Sequence, residues 1–160
     1  MEPGPKGAVW KWALAIIATI CGLILWRCGA GVFRGRSESG KAVLRFHEEL
    51  NGGRYREIWQ QSDGEFRRVT KEPEFRDFLE AVHTKLGNAR SASLNAIAFE
   101  GTTDGTLLHA VYKTQFDQDS ATEVFIWKTR GDSLKLWRYN VEAKTFVIER
   151  ERGTLNPASP

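Results

Sequence analysis

TLLHAVYKTQFDQDSATEVFIWKTRGDSLKLWRYNVE, residues 106–142, holds three runs of β-branched and aromatic residues parted by Asp117-Gln118-Asp119 and Gly131-Asp132. Runs of this composition between turn signals read as strands, and turns this short force antiparallel neighbours. Strands are expected at about 106–116, 121–130 and 134–142, with one more at 91–100 ahead of the turn at Gly101–Gly105. In the second strand Leu108, Ala110, Tyr112 and Phe116 share one face, and Leu107, His109, Val111, Lys113 and Gln115 share the other. The third is apolar on both faces, Val124 and Ile126 against Phe125 and Trp127, as a central strand covered on both sides would be.

Upstream the apolar period lengthens toward that of a helix. Val43, Phe46 and Leu50 mark a first helix, entered through Ser37 or Ser39 and closed by Gly52-Gly53. Tyr55, Ile58, Trp59 and Ser62 mark a short second one, whose apolar surface Phe66 continues after the Ser62-Asp63-Gly64 break. The third is the clearest: Phe75, Phe78, Leu79, Val82 and Leu86 lie on one face, with Thr70 as candidate cap, Pro73 in the first turn and Gly87 as the stop. Three helices followed by a four-stranded meander predict an α+β domain, the helices packed on one face of the sheet.

The N-terminus reads differently. WALAIIATICGLILW, residues 12–26, carries no charge and is closed by Trp12 and Trp26, with Lys11 and Arg27 outside them. Tryptophan collects at the headgroup level, and lysine and arginine stems snorkel along lipid. Extended over about 8–27, with Trp10 and Lys11 at the near interface, the helix covers roughly the ~30 Å hydrocarbon slab. The rival reading is a cleaved signal peptide, for which Trp26, Arg27 and Cys28 form a poor cleavage site. The chain thus divides into a membrane anchor at 1–28, a Gly/Ser-rich flexible linker at 29–40, a folded domain at 41–142, and a C-terminal extension and disordered tail at 143–160.

Charge and cysteine content exclude whole classes of function. Of the 23 Lys and Arg and 20 Asp and Glu, five cations and one acid fall within residues 1–36, so the remainder carries 18 against 19. A nearly neutral domain lacks the clustered cations that nucleic acid demands. Both cysteines, Cys21 and Cys28, belong to the anchor region, so the domain can hold no disulfide or thiolate metal site. No HExxH, phosphate-binding glycine loop or GxSxG elbow occurs, and neither metal nor cofactor is expected.

Tyr55-x-x-Ile58-Trp59-x-x-Ser62-x-x-x-Phe66, Phe75-x-x-Phe78-Leu79 leading to Leu86-Gly87, Val111-Tyr112-x-Thr114-x-Phe116, Glu123-x-Phe125-x-Trp127 and Leu136-x-x-Tyr139-x-Val141 together resemble a family of small Gram-negative envelope proteins. That family has a cone-shaped fold like that of nuclear transport factor two, also called cystatin-like. The resemblance covers roughly residues 40–142. It implies a curved sheet enclosing a cone and an extracytoplasmic domain, secreted or tethered by a signal or a single span; with the span read above, the domain is expected in the periplasm on an inner-membrane anchor. The cations flanking the span favour the opposite orientation mildly. Its members are largely uncharacterised, so it supplies no catalytic residues.

Enzymes of this shape elsewhere put an acid or base inside an apolar cavity, where burial shifts its pKa. The candidates here are Glu123 and Tyr112, followed by Tyr139, Arg138 and His109. The plain reading of Glu123 is an ion pair with Lys113 or Arg138 near the sheet rim, and His47 and His83 read as solvated or boundary residues. Tyr112, Phe116, Phe125, Trp127, Trp137 and Tyr139 exceed what one core face would take and are expected to form a ligand or partner surface. The expected partners are the lipid bilayer, a protein or small apolar ligand, and a second copy across the outer sheet face. The reading is a membrane-tethered binding or interaction domain without enzymatic activity; the alternative is a small cavity enzyme of isomerase or dehydratase type using Glu123 or Tyr112.

Overall fold

A computed structural model of the chain describes residue 19, residues 35–130 and residues 133–144. The chain divides into two units, 1–37 and 38–160. Apart from residue 19, the expected span at about 8–27, with Trp10, Lys11, Trp12, Trp26, Arg27 and, beyond it, Cys28, lies outside the described residues, as does the tail from 145 onward. Among the described residues no helix is long and apolar enough to cross a membrane.

Among the described residues the second unit is α+β, with four helices and an open antiparallel sheet of four strands. Helix α1 covers 35–51 and buries Ser39, Val43, Phe46, His47 and Leu50, the three- and four-residue spacing of a single stripe. It begins earlier than expected. Residues 35–40, read as flexible linker, are helical, and Ser39 is fully buried within the helix instead of capping it. Gly53, at φ 66°, ends α1, and its N–H bonds Leu50 O at 3.0 Å.

Helix α2 is Tyr55–Gln61, α3 is Gly64–Val69 and α4 is Glu72–Leu86. The count of four corrects the expected three. The Ser62-Asp63-Gly64 break starts a helix as well as ending one, because the Asp63 carboxylate accepts from Glu65 N at 2.9 Å and serves as the N-cap of α3. Thr70, expected to cap α4, closes α3: its N–H bonds Phe66 O, and its carbonyl accepts from Trp59 Nε1 at 2.9 Å. Pro73 sits in the first turn of α4, and Phe75, Leu79, Val82 and Leu86 form its buried face.

Strands β1 (Ala89–Thr102), β2 (Gly105–Phe116), β3 (Ser120–Arg130) and β4 (Ser133–Ala143) pair as a simple meander in the order β1-β2-β3-β4. One register places Thr114, Tyr112, Ala110 and Leu108 opposite Ala121, Glu123, Phe125 and Trp127, and this face packs under the helices. Between β3 and β4 the register shifts: Ile126 pairs Arg138 and Trp127 pairs Leu136, leaving Trp137 as the extra residue of a bulge. Leu136 and Tyr139, three apart, therefore both turn into the core.

Gly87 ends α4 at φ 79°, ψ −161°, a region open essentially to glycine alone. Beside it the β2–β3 turn is stitched to the helix end, Gln118 N donating to Leu86 O at 2.9 Å and Asp117 N to Asn88 O at 3.1 Å. A Cβ on Gly87 would meet Asp117 Cβ at 2.6 Å, whereas one on Gly64 would meet nothing within 4 Å. Gly87→Ala is expected to lower stability by about 1–3 kcal/mol, read as a fall in the urea midpoint, while Gly64→Ala leaves the midpoint unchanged or higher.

Candidate functional site

Every donor around Glu123 comes from a different element. Its carboxylate is fully buried on β3. Oε2 accepts from His47 Nε2 of α1 at 2.8 Å and from Thr114 Oγ1 of β2, and Oε1 accepts from Tyr139 Oη of β4 at 2.6 Å. A charge taken out of water destabilises by several kcal/mol unless its lone pairs are met; here three donors meet them. Helical spacing explains the position of His47, three residues from Leu50 and four from Val43 on the buried stripe. Its ring lies edge-on to Phe116 and Phe125 at centroid distances of 6.1 and 6.3 Å.

These contacts correct several expectations. Glu123 has no partner in Lys113, which stands exposed on the outer face, or in Arg138, whose guanidinium lies 5.1 Å from the centroid of the Trp137 ring. His47 is buried rather than solvated. Tyr112 bonds Ser39 across to α1 at 2.9 Å. His109 lies on the outer face against Glu100 at 2.9 Å; His83, by contrast, is a half-buried boundary residue as expected, bonded to Tyr55 at 2.8 Å and Asn88 at 3.1 Å. Of the six aromatics expected to form a surface, Tyr112, Phe116, Phe125, Trp127 and Tyr139 are buried. The helices absorb the surplus that pointed to an outer-face contact, and Trp137 alone remains half-exposed.

Burial, then the nearby Glu123 charge, push the Tyr139 phenol well above its ordinary value of 10.0. A base or acid serves best when its pKa lies near the working pH; this tyrosine is moved away from it. Neither Glu123 oxygen is open to a substrate. Among the described residues no group of three or more His, Cys, Asp or Glu side chains is placed to hold a metal.

Open space lies on the other side of Tyr139. A groove of about 740 Å³ runs between α3, the first turns of α4 and strand β4. Its wall is a relay of rings: Phe66 to Phe75 at 5.0 Å, Phe75 to Phe78 at 6.3 Å, Phe78 to Tyr139 at 6.0 Å. Val69 and Phe78, 79% and 38% exposed, leave apolar surface in water there. Glu65 fixes the rim by accepting from Lys128 Nζ and Trp137 Nε1, both at 3.1 Å, and these bonds hold its carboxyl below the usual range. Sequence reasoning found Trp137 and Tyr139 but missed Glu65, Val69 and His47. The helical spacing of His47 was the available signal; Val69 and Glu65 required knowing that α3 exists.

The Tyr139 phenol is held neutral in the folded chain and ionises near 10 once unfolded. Its contribution to stability is thus complete below pH 10 and is lost as pH rises beyond it toward the raised folded value. We expect the urea midpoint to fall above pH 10. Tyr139→Phe should lower the neutral-pH stability by about 1–3 kcal/mol, since it strips a donor from Glu123, and should remove part of the alkaline fall.

Residues 42–140 match the family described as protein of unknown function (DUF4019). No curated protein matches the chain. Among solved structures the chain is similar to Bd1075 of Bdellovibrio bacteriovorus at 14% identity and a TM-score of 0.37, over 64% of this chain and 40% of that one. The chain therefore spans less than half the length of that structure.

Proposed function

The chain belongs to the DUF4019 family of proteins of unknown function, and we propose that it is a single-pass, membrane-tethered binding domain of the bacterial envelope that holds a partner in the groove between α3, α4 and β4. The observation that carries this reading is the division of labour around Tyr139. Behind it, the ionisable groups spend their hydrogen bonds on one another; in front of it, aromatic surface stands open. A cavity enzyme of the kind weighed above would draw on Glu123 or Tyr112, and both are bonded within the core; of the carboxylates that do line the groove, Glu65 is held by Lys128 and Trp137, and Glu74 is exposed to solvent on α4. Apolar surface kept in water is unfavourable by roughly 25 cal/mol per Å² relative to burial, and a partner removes that cost.

The uncharged, tryptophan-bracketed stretch at 12–26 supports the tether. The resemblance to cone-shaped envelope proteins supports an inner-membrane anchor with the domain in the periplasm. A meander sheet wrapped by helices is compatible with that cone. A tether raises the effective concentration of the domain near any membrane-bound partner. The outer face of the sheet carries Lys113 and Gln115 exposed around the half-buried Val111 and Val124, whereas Val69 and Phe78 leave apolar surface in water at the groove, which favours the groove over self-association.

Two measurements test the reading. A photoreactive side chain at Val69, in cells that express the full chain, should give a discrete adduct that the same group at Gln115 does not, and Phe78→Glu should remove it. Equal adducts from both positions, or loss of the cellular phenotype in a folded Glu123→Gln but not in Phe78→Glu, overturn the proposal. For the tether, the intact chain should stay with membranes through an alkaline carbonate wash; its full-length recovery in the aqueous fraction would remove that part.

A further inference from the structure

Resting on the groove reading above, we infer that the occupant is an extended stretch of a partner polypeptide, which adds to the sheet as a fifth strand along β4 and turns an acidic side chain toward Arg138. β4 pairs with β3 on one side, and among the described residues no strand pairs with the other. That edge already accepts a main chain once: Asp63 N donates to Leu136 O at 2.8 Å, in the turn between α2 and α3. Just past this contact, Trp137 to Asn140 line the groove. Four residues at about 3.3 Å each make an edge of roughly 13 Å, the length of a short added strand.

The chemistry of the walls selects the occupant. Unpaired backbone groups along a strand edge want donors and acceptors in register, which an acyl chain or a hydrocarbon ligand does not carry. Phe66, Phe75 and Phe78 face the same space and suit the alternate apolar side chains of an incoming strand. An arginine on an edge strand is by itself ordinary protection against pairing; an apolar wall standing opposite it is not. Arg138 is exposed, stacks on Trp137 at 5.1 Å and has no carboxylate partner among the described residues, so its planar fork of donors is free. Glu65, by contrast, is engaged by Lys128 and Trp137, and Glu74 lies on the α4 side. Arg68, the other cation lining the groove, already faces Glu65 at 3.8 Å, so the acid of the partner is directed to the β4 wall.

The test uses the full chain in lipid nanodiscs, a display library of random twelve-residue peptides as the probe, and a synthetic copy of the strongest peptide selected. We expect a sequence with apolar residues at alternate positions and an acid among them. N-methylation of alternate backbone amides should weaken it at least tenfold. Arg138→Glu should weaken it to a similar extent, and exchanging the peptide's acid for lysine should restore binding to that variant. Indifference to N-methylation at every position, or a library that yields no binder, overturns strand addition; if the Val69 adduct persists in either case, groove binding itself stands. Binding that appears only in a variant ending at Lys144 also overturns the inference, since the groove would then belong to the chain's own C-terminal segment. If the Val69 adduct is absent as well, both readings fall together.

Discussion

The buried carboxylate of Glu123 organises this domain. Glu123 sits on the central part of the sheet with no exposure, and each of its three donors arrives on a separate element: His47 on α1, Thr114 on β2, Tyr139 on β4. Left bare, such a charge would outweigh much of a domain's net stability of about 5–15 kcal/mol. It is tolerable only when helix, hairpin and edge strand are all in place together. Hydrogen bonds to a charged group contribute about 1.5–3 kcal/mol each, so three of them offset the desolvation without leaving a large surplus. What the arrangement gives is selectivity among packings: a shift of one residue in the β3–β4 register would point Glu123 at a different face of β4 and remove a donor.

The groove follows from the same geometry. Without the bulge at Trp137, Leu136 and Arg138 would share a face and Tyr139 would point away from Glu123; with it, Tyr139 reaches the carboxylate and Trp137 is freed to meet Glu65 at the rim. Helix α3, only six residues long, stays near β4 through Asp63 N bonding Leu136 O and through the Glu65 contacts. A short helix held at its start and diverging from an edge strand leaves space between them. Phe66 and Phe75 fill its floor, and Phe78 and Val69 remain partly in water.

How much of this the sequence discloses depends on whether the signal is local. The stripe of α4 and the alternation of β2 and β3 are local, because a buried face forces its period on consecutive residues, and both are readable. Helix α3 is too short to show a period, and its one cue, Asp63 followed by Gly64 and Glu65, is equally the signature of a turn. The bulge leaves Leu136-x-x-Tyr139 instead of an alternating pair, a spacing that strand periodicity alone does not interpret. Glu123 stands out as an acid among apolar neighbours, yet its partner lies 76 residues away on a helix. His47 belongs to the same stripe as Val43, Phe46 and Leu50, so the pairing needed only the inference that a polar residue on a buried helical face and a carboxylate on a buried strand face must find each other. The aromatics of the sheet mislead for a related reason: counted along strands they exceed one core face, but four helices offer more surface to cover them than three.

Tyr139 belongs to both halves of the molecule, and this decides how rigid the groove is on each side. Its hydroxyl is fixed by Glu123 and its ring by contacts to Phe46 at 4.7 Å and Phe125 at 5.0 Å, so the β4 wall cannot shift without breaking these contacts. The α3 wall is tied at its start by the Asp63 cap and the Asp63 N–Leu136 O bond, at its floor by Phe66 against Phe75, and at its end by Trp59 Nε1 on the Thr70 carbonyl, while Arg67, Arg68 and Val69 face solvent. Binding loses affinity to the extent that the receptor must be ordered first. With both walls held by contacts already made in the core, that ordering penalty falls on the exposed side chains at the groove mouth, Arg68, Val69 and Arg138, while the strand edge sets the register of the occupant.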